Sequence, residues 1–416
     1  MYYENLFTHS EIIDARSHRV FKLGKEEFTV VKHISLSTEN VQLFTHWRPV
    51  KLTRDTESTI CNLVKDEQLM ELTDTCRKGG ERRFDIHGYC VDPAKHAWIL
   101  QIHNAIVLEN NFNPEIYWAT FTESGVVIQS QLDKGIRPIV PLSTRIRYYS
   151  KLASPGYSVH VNSPGHFPVE ILPRLVRMYN EVPPDVPLLW PSGPQPLLML
   201  KVMIELKVLD GKRYILKETP ESIMKVKQLY IYHGDDDFFP QLLVPEFTYM
   251  HDLIMRGMEE RFGKPKQQSS RTIVVIDRRN GPRSVINHKE MVQMLKDNLE
   301  HRVVDYFIDN DKMANYVNEV ARVFYEADII ISPHGASLGN IIFARPGTSI
   351  IEFSWDDATP ALPTDFMCFS RNLKLQYSTV AGKGSKGSPL TMNSTEVLEA
   401  VKIHLGEVDL ETNSFT

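Results

Sequence analysis

Three stretches of the chain carry side chains that can do chemistry together. In SPGHFPVEILPRL, His166 stands at the start of an apolar helical pattern and Glu170 follows four residues later. Residues four apart on a helix are neighbours, so a base and a carboxylate share one face. The positive end of a helix disfavours imidazolium, which leaves His166 a neutral proton acceptor near pH 7. In DRRNGPRSVIN (Asp277 to Asn287), Arg278, Arg279 and Arg283 gather just beyond a buried-strand pattern. Guanidinium groups suit bidentate contact with a diphosphate. In ADIIISPHGASLGNIIFARPGTSIIEF, an apolar run ends at Ser332-Pro333, and His334, Gly335 and Ala336 open a short helix. A glycine there lets backbone approach a ligand, and the helix N-terminus favours an anion. Glu352, near the end of the next strand, is placed to hold a ribose hydroxyl. A fourth stretch, HGDDDFFP, offers Asp235, Asp236 and Asp237 as oxygen ligands for a divalent cation with a nucleotide-sugar diphosphate, or simply a solvated acidic loop.

The elements around these residues read as alternating strands and helices. Ala97 to about residue 130 contains short β-rich runs divided by Asn and Gly turns, a small meander. Tyr157 to Val161 (strand) leads into the His166 helix with Val169, Leu172, Leu175 and Val176 on its buried face. Strand, helix and strand follow over Pro187 to Trp190, Leu197 to Val208 and Arg213 to Leu216, and then Leu229 to Tyr232. Polar, lysine-rich Arg256 to Arg271 reads as an interdomain linker. A second unit then runs Thr272 to Ile276 (strand), Asn287 to Leu299 (helix) and Val303 to Ile308 (strand). A helix burying Met313, Val317, Val320, Ala321 and Phe324 delivers the chain into the His334 strand. Ala381 to Pro389 is Gly/Ser/Lys-rich and reads as a mobile loop. The last helix has Asn393 as cap and Glu396 three residues on.

This pattern predicts an α/β protein in which ligands bind beyond the carboxyl ends of parallel strands. The expected divisions are an N-terminal domain over 1–265, with an irregular cap over 1–95 and the meander over 97–130, and a C-terminal nucleotide-binding domain over 266–390. The segment 391–416 is expected to form a helix packing back on the first domain. The 416 residues suit two domains. A net charge of −5 gives no electrostatic reason for nucleic acid or an anionic membrane as partner. The four cysteines lack metal-ligand spacing and fit a reducing compartment. The amino terminus reads as neither signal peptide nor anchor, and no stretch has the length of a membrane span, so a cytoplasmic protein is expected.

Together the three segments, in this order, resemble glycosyltransferase family 61. SPGHFPVEILPRL is similar to the family's pattern of His, aromatic, an acid four residues after the His, and Leu-Pro. DRRNGPRSVINHKE is similar to its arginine, arginine, asparagine segment, matched by Arg279, Arg283 and Asn287. SPHGASLGNIIFARPGTSIIEF is similar to its His-Gly-Ala through Phe, Pro-Gly and Glu segment. The resemblance implies a GT-B-like architecture, two Rossmann-type doubly wound domains facing a cleft, with the donor mainly on the second and the acceptor on the first. It implies an inverting transferase moving a sugar, xylose or N-acetylglucosamine, from a UDP-sugar to a glycan hydroxyl in β-linkage. Eukaryotic members begin with a signal or anchor that is not read here, which favours a bacterial or viral glycan pathway.

On this reading Glu170 or His166 is the base, with the aspartate run as a third candidate, and Glu170 is favoured. Arg279, Arg283 and the His334-Gly335-Ala336 turn meet the diphosphate, without cofactor or metal, and Glu352 meets the ribose. Asn287 shapes the arginine loop and caps the next helix rather than touching substrate. A dehydrogenase on the same scaffold is disfavoured because G-x-G-x-x-G is absent after a strand. A non-catalytic nucleotide- or sugar-binding protein on a decayed transferase fold is the alternative.

Overall fold

The structure is a computed structural model. It describes residues 21–23, 26–28, 41–47, 97–110, 117–122, 127–129, 145–155, 161–217, 222–234, 244–265, 269–279, 281–355 and 365–408. Nearly all of the expected cap over 1–95, the Asp235–Asp237 run and most of the strand expected over 157–161 lie outside them. The described residues form two compact units, one reaching Glu246 and the other starting at Phe247.

The first unit is built on a mixed sheet. Its strands are β3 (Val41–Trp47), β4 (Ala97–Asn110), β5 (Tyr117–Thr122), β6 (Val127–Gln129), β7 (Arg145–Ser154), β8 (Leu188–Trp190), β9 (Ile215–Lys217) and β10 (Ser222–Gly234), while β1 (Phe21–Leu23) and β2 (Glu26–Phe28) form a separate antiparallel pair. Order along the sheet is β6-β5-β4-β10-β7-β8-β9, with β3 added on β4. The expected meander is there, but it is continuous with the parallel strands, because β4 pairs antiparallel with β10 along its length. Only β10, β7, β8 and β9 are mutually parallel. This unit is therefore mixed α/β rather than wholly doubly wound.

The second unit has five parallel strands: β11 (Thr272–Ile276), β12 (Arg302–Tyr306), β13 (Ile329–Pro333), β14 (Ser349–Trp355) and β15 (Gln376–Gly382). Their order is β12-β11-β13-β14-β15. Every residue of β13 and β14 is buried, as expected for central strands covered on both faces, whereas edge strand β12 is largely open. Connections leave in opposite directions from β11 and β13. That makes the crevice beyond their carboxyl ends the topological switch point, where open α/β sheets take ligands.

Two boundaries differ from expectation. The region read as a linker from Arg256 includes the end of a 19-residue helix, Val244–Phe262. Phe247, Met250, Ile254 and Met258 recur at spacings of three and four and are fully buried, so the helix belongs to the second unit from Phe247 onward. The C-terminal helix, Ser394–Leu405, packs within the second unit. Val397 and Val401 sit in one apolar cluster with Met291, Leu295, Ile351 and Phe353 of the second. The apolar stripe found a partner on the nearest sheet face. Among the described residues, no helix is long and apolar enough to cross a membrane.

Candidate functional site

In the first unit, the chain leaves the carboxyl end of β7 and enters a helix at His166. Pro168 and Pro173 lack the N–H of a regular ladder, and the first turn, Phe167–Ile171, runs i→i+5, with Leu172 N–H donating to the Phe167 carbonyl. Such π-type turns recur at functional sites. Phe167, Val169 and Ile171 are buried, and the Phe167 ring lies 6.5 Å from Trp190. This burial turns His166 and Glu170 outward. His166 Nδ1 is hydrogen-bonded to Glu170 Oε1, with the imidazole half exposed and the carboxylate about a fifth exposed. An ionised carboxylate only accepts, so Nδ1 carries the proton and Nε2 is left as the basic nitrogen. The two expected catalytic residues thus form a pair, in which Glu170 orients His166.

Further along this helix Arg174 is almost completely buried over the ring of Tyr232, 5.1 Å from its centroid. Glu246 is wholly buried, and desolvation raises its pKa against the opposing pull of Arg177 and Arg174. This charged patch lies inside the unit and ties the His166 helix to β10. The expected aspartate run begins where β10 ends, at Gly234, and lies outside the described residues.

In the second unit the expected donor residues divide into groups. Arg278 donates from Nη1 to the His334 carbonyl at 3.1 Å. Gly335 has φ +148° and ψ −165°, a region essentially reserved for glycine, and a Cβ there would fall 2.2 Å from Arg278 Nη1. The His-Gly turn is therefore shaped to let the arginine lie across it. Arg283 also sits in a low-dielectric place: burial lowers its pKa, and Glu352 pulls it back up. Arg278 is depressed by burial and then by Arg283. Arg278, within electrostatic reach of Arg283, thus lies beside the helix start at Ala336, where an anion is favoured. Arg279 points elsewhere. Its Nε donates to Asp277 at 2.9 Å, and its guanidinium stacks 4.0 Å from the Phe307 centroid, more than half exposed. The arginine missed by motif matching is Arg278.

Glu352 is a correction of another kind. Its carboxylate is fully buried, with Oε1 taking His334 Nδ1–H at 2.5 Å and Oε2 taking the Tyr377 hydroxyl at 2.6 Å. A ribose hydroxyl has no route to it. Glu352 acts through His334, whose ring is also held edge-on by Trp355 and Phe366 at 5.6 and 5.5 Å.

Asn287 makes no capping bond. Its side chain donates to the Met392 carbonyl at 2.8 Å and accepts from the Met392 N–H at 3.0 Å, as a strand neighbour would. Around it two loops are zipped together. Arg283 N–H donates to Ser388, Leu390 N–H to Ser284, and Ile286 N–H to Leu390, at 2.7 to 2.8 Å. The glycine-rich segment expected to be mobile is thus a pinned arch holding Arg283, whose φ of +66° costs roughly 1–2 kcal/mol for a residue with a Cβ.

One trio among the described residues, Asp277, His288 and Asp305, has ligand-type atoms within 4.8 Å of one another. Side-chain hydrogen bonds already engage its members: Arg279 bonds Asp277, and His288 Nε2 bonds Asp305 at 2.8 Å.

The family model described as glycosyltransferase 61 matches residues 165–351, which spans His166, the arginine loop and the His334 turn. The match supports membership of glycosyltransferase family 61. The family is one of glycosyltransferases, which act on a donor and an acceptor substrate. No curated protein matches the chain. Among solved structures, a flavo di-iron protein mutant from Thermotoga maritima aligns with 75% of this chain and 96% of its own length at 9% identity. Its TM-score is 0.25, too low for an argument about this fold.

Proposed function

We propose that this family 61 member is an inverting glycosyltransferase that transfers xylose or N-acetylglucosamine from a UDP-sugar to a glycan hydroxyl, forming a β-linkage. The observation that carries the donor assignment is the meeting of Arg278, Arg283 and the His334–Ala336 turn at the switch point of a parallel sheet. Two guanidiniums and a helix start are suited to a departing diphosphate without a metal ion. On the other unit, the pair of Glu170 and His166 supplies a base for the acceptor hydroxyl. With Nδ1–H held by Glu170, Nε2 takes the proton, and the carboxylate stabilises the imidazolium that results. A GT-B arrangement belongs to this reading, supported by the separate set of parallel strands in each unit.

The test is a thermal-shift and donor-hydrolysis screen of UDP and UDP-sugars, with and without EDTA. UDP and one UDP-sugar are expected to stabilise the wild type and Arg279→Ala, but not Arg278→Ala or Arg283→Ala. Insensitivity to EDTA is expected. Loss of activity in EDTA would move attention to the Asp277–His288–Asp305 trio and the aspartate run. Binding without hydrolysis or transfer would favour the non-catalytic reading.

A further inference from the structure

The pair of Glu352 and His334 is built like a proton-handling device, and diphosphate binding alone does not explain it. A carboxylate in the middle of the fully buried strand β14 is costly unless each oxygen is bonded, and here both are. The bonds fix the tautomer. Tyr377 and His334 are both donors to Glu352, so His334 carries its proton on Nδ1. Nε2 makes no hydrogen bond among the described residues, and it is not among the buried polar atoms left without partners. The side chain is 14% exposed. Nε2 is therefore the nitrogen open to a ligand.

The charges facing this ring come from every element around it. Glu352 approaches from β14, and Tyr377 approaches from β15 through the carboxylate. From the loop after β11, Arg278 bonds the His334 carbonyl and Arg283 interacts with Glu352. Trp355 and Phe366 present only ring edges. Around this turn two guanidiniums stand against one carboxylate. A nucleoside diphosphate brings two or more negative charges and reverses that balance.

We infer that His334 takes up a proton at Nε2 when a nucleoside diphosphate binds, with Glu352 and Tyr377 as the positioning residues that make it possible. The inference rests on the donor-site reading above. His334 then donates Nε2–H to a phosphate oxygen, and the leaving diphosphate departs hydrogen-bonded to an imidazolium whose other nitrogen is held by Glu352. The proton comes from solvent on binding and returns to solvent when UDP leaves, so none is consumed.

Calorimetric titration of the full chain with UDP, in buffers of different ionisation enthalpy between pH 6 and 8.5, tests this. The expected result is net proton uptake approaching one per UDP at the upper end, with affinity falling by up to about tenfold per pH unit there. Uridine should cause no uptake. His334→Gln should still bind UDP, more weakly, without proton uptake. Tyr377→Phe, which keeps the ring, and Glu352→Gln should both reduce the uptake and move the pH dependence toward acid. UDP binding without proton uptake, or with the same uptake in His334→Gln, overturns the inference and leaves the donor site standing. Absence of UDP binding overturns both. If Glu352→Gln fails to fold, Tyr377→Phe and His334→Gln decide the matter.

Discussion

Gly335→Ala is the sharpest perturbation of the donor-side turn. At φ +148° and ψ −165° the backbone lies in a region that costs an L-residue about 1–3 kcal/mol. The new methyl would also meet Arg278 Nη1 at 2.2 Å. That nitrogen is the mobile end of a side chain, so it yields, and its bond to the His334 carbonyl is lost. A hydrogen bond from a charged donor contributes roughly 1.5–3 kcal/mol, taken at the low end because Arg278 is only partly buried. Against this, alanine stiffens the unfolded chain by about 0.4–1 kcal/mol. The net is a destabilisation of about 2–3 kcal/mol, or roughly 5–10 °C in the melting transition of a unit this size. Melting should be followed for Gly335→Ala, Arg278→Ala and the double variant. Removing the guanidinium relieves the clash but not the backbone strain, so the double should be more stable than additivity predicts, by about 1 kcal/mol. A melting point within about a degree of wild type for Gly335→Ala would refute the strain argument. Strict additivity would show that Arg278 does not lie over the turn.

Other consequences are open to measurement. On the proposed reading, in which Glu170 orients an acceptor-side base, Glu170→Gln should lower the transfer rate by about 10²–10⁴ while UDP affinity stays unchanged. Asn287→Ala loses both bonds to Met392 and should cost about 1–3 kcal/mol in denaturant unfolding, with weaker UDP binding because the Arg283 arch loosens. His404 is held down to about 4 by burial, with Ser378 Oγ 2.8 Å from its Nε2. The unfolded chain then binds more protons between pH 4 and 6.5 than the folded one, so stability falls as pH drops through that window. His404→Gln should remove that limb from urea midpoints measured at pH 4.5, 5.5 and 6.5, a loss of no more than about 3 kcal/mol at roughly 1.4 kcal/mol per pH unit.

The second unit was the more legible half, for a physical reason. Strands buried on both faces must be continuously apolar, so Thr272–Ile276 and the run into Pro333 stood out with nearly their observed bounds. Edge and antiparallel strands lack that constraint, and the joining of the meander to β10 was not visible locally. Within the site, motif matching chose Arg279, whereas the fold turned Arg278 inward. Alternation along Asp277-Arg278-Arg279 held the available signal, since Asp277 and Arg279 fall on one side and pair there. Glu352 gave a signal too: an acid amid Ser-Ile-Ile and Phe-Ser-Trp belongs to a buried bond network rather than to a solvent-facing site. The linker was misread because basic residues on the open face of the Val244–Phe262 helix hid apolar residues at spacings of three and four.

The zipped arch between Arg283–Asn287 and Ser388–Met392 sets the order in which the molecule can come into being. Asn287 and Met392 are 105 residues apart, and their contact closes only once Met392 has been made. A nascent chain halted before Ser388 already contains both guanidiniums, the glycine turn and the buried glutamate, yet lacks the partner of the Arg283 N–H, whose residue has a left-handed conformation. Contacts this far apart in sequence form slowly. Closure of the arch therefore follows synthesis of the whole donor-side turn, and on the proposed donor-site reading, ending the chain before Ser388 should abolish nucleotide binding without deleting Arg278, Arg283, His334 or Glu352.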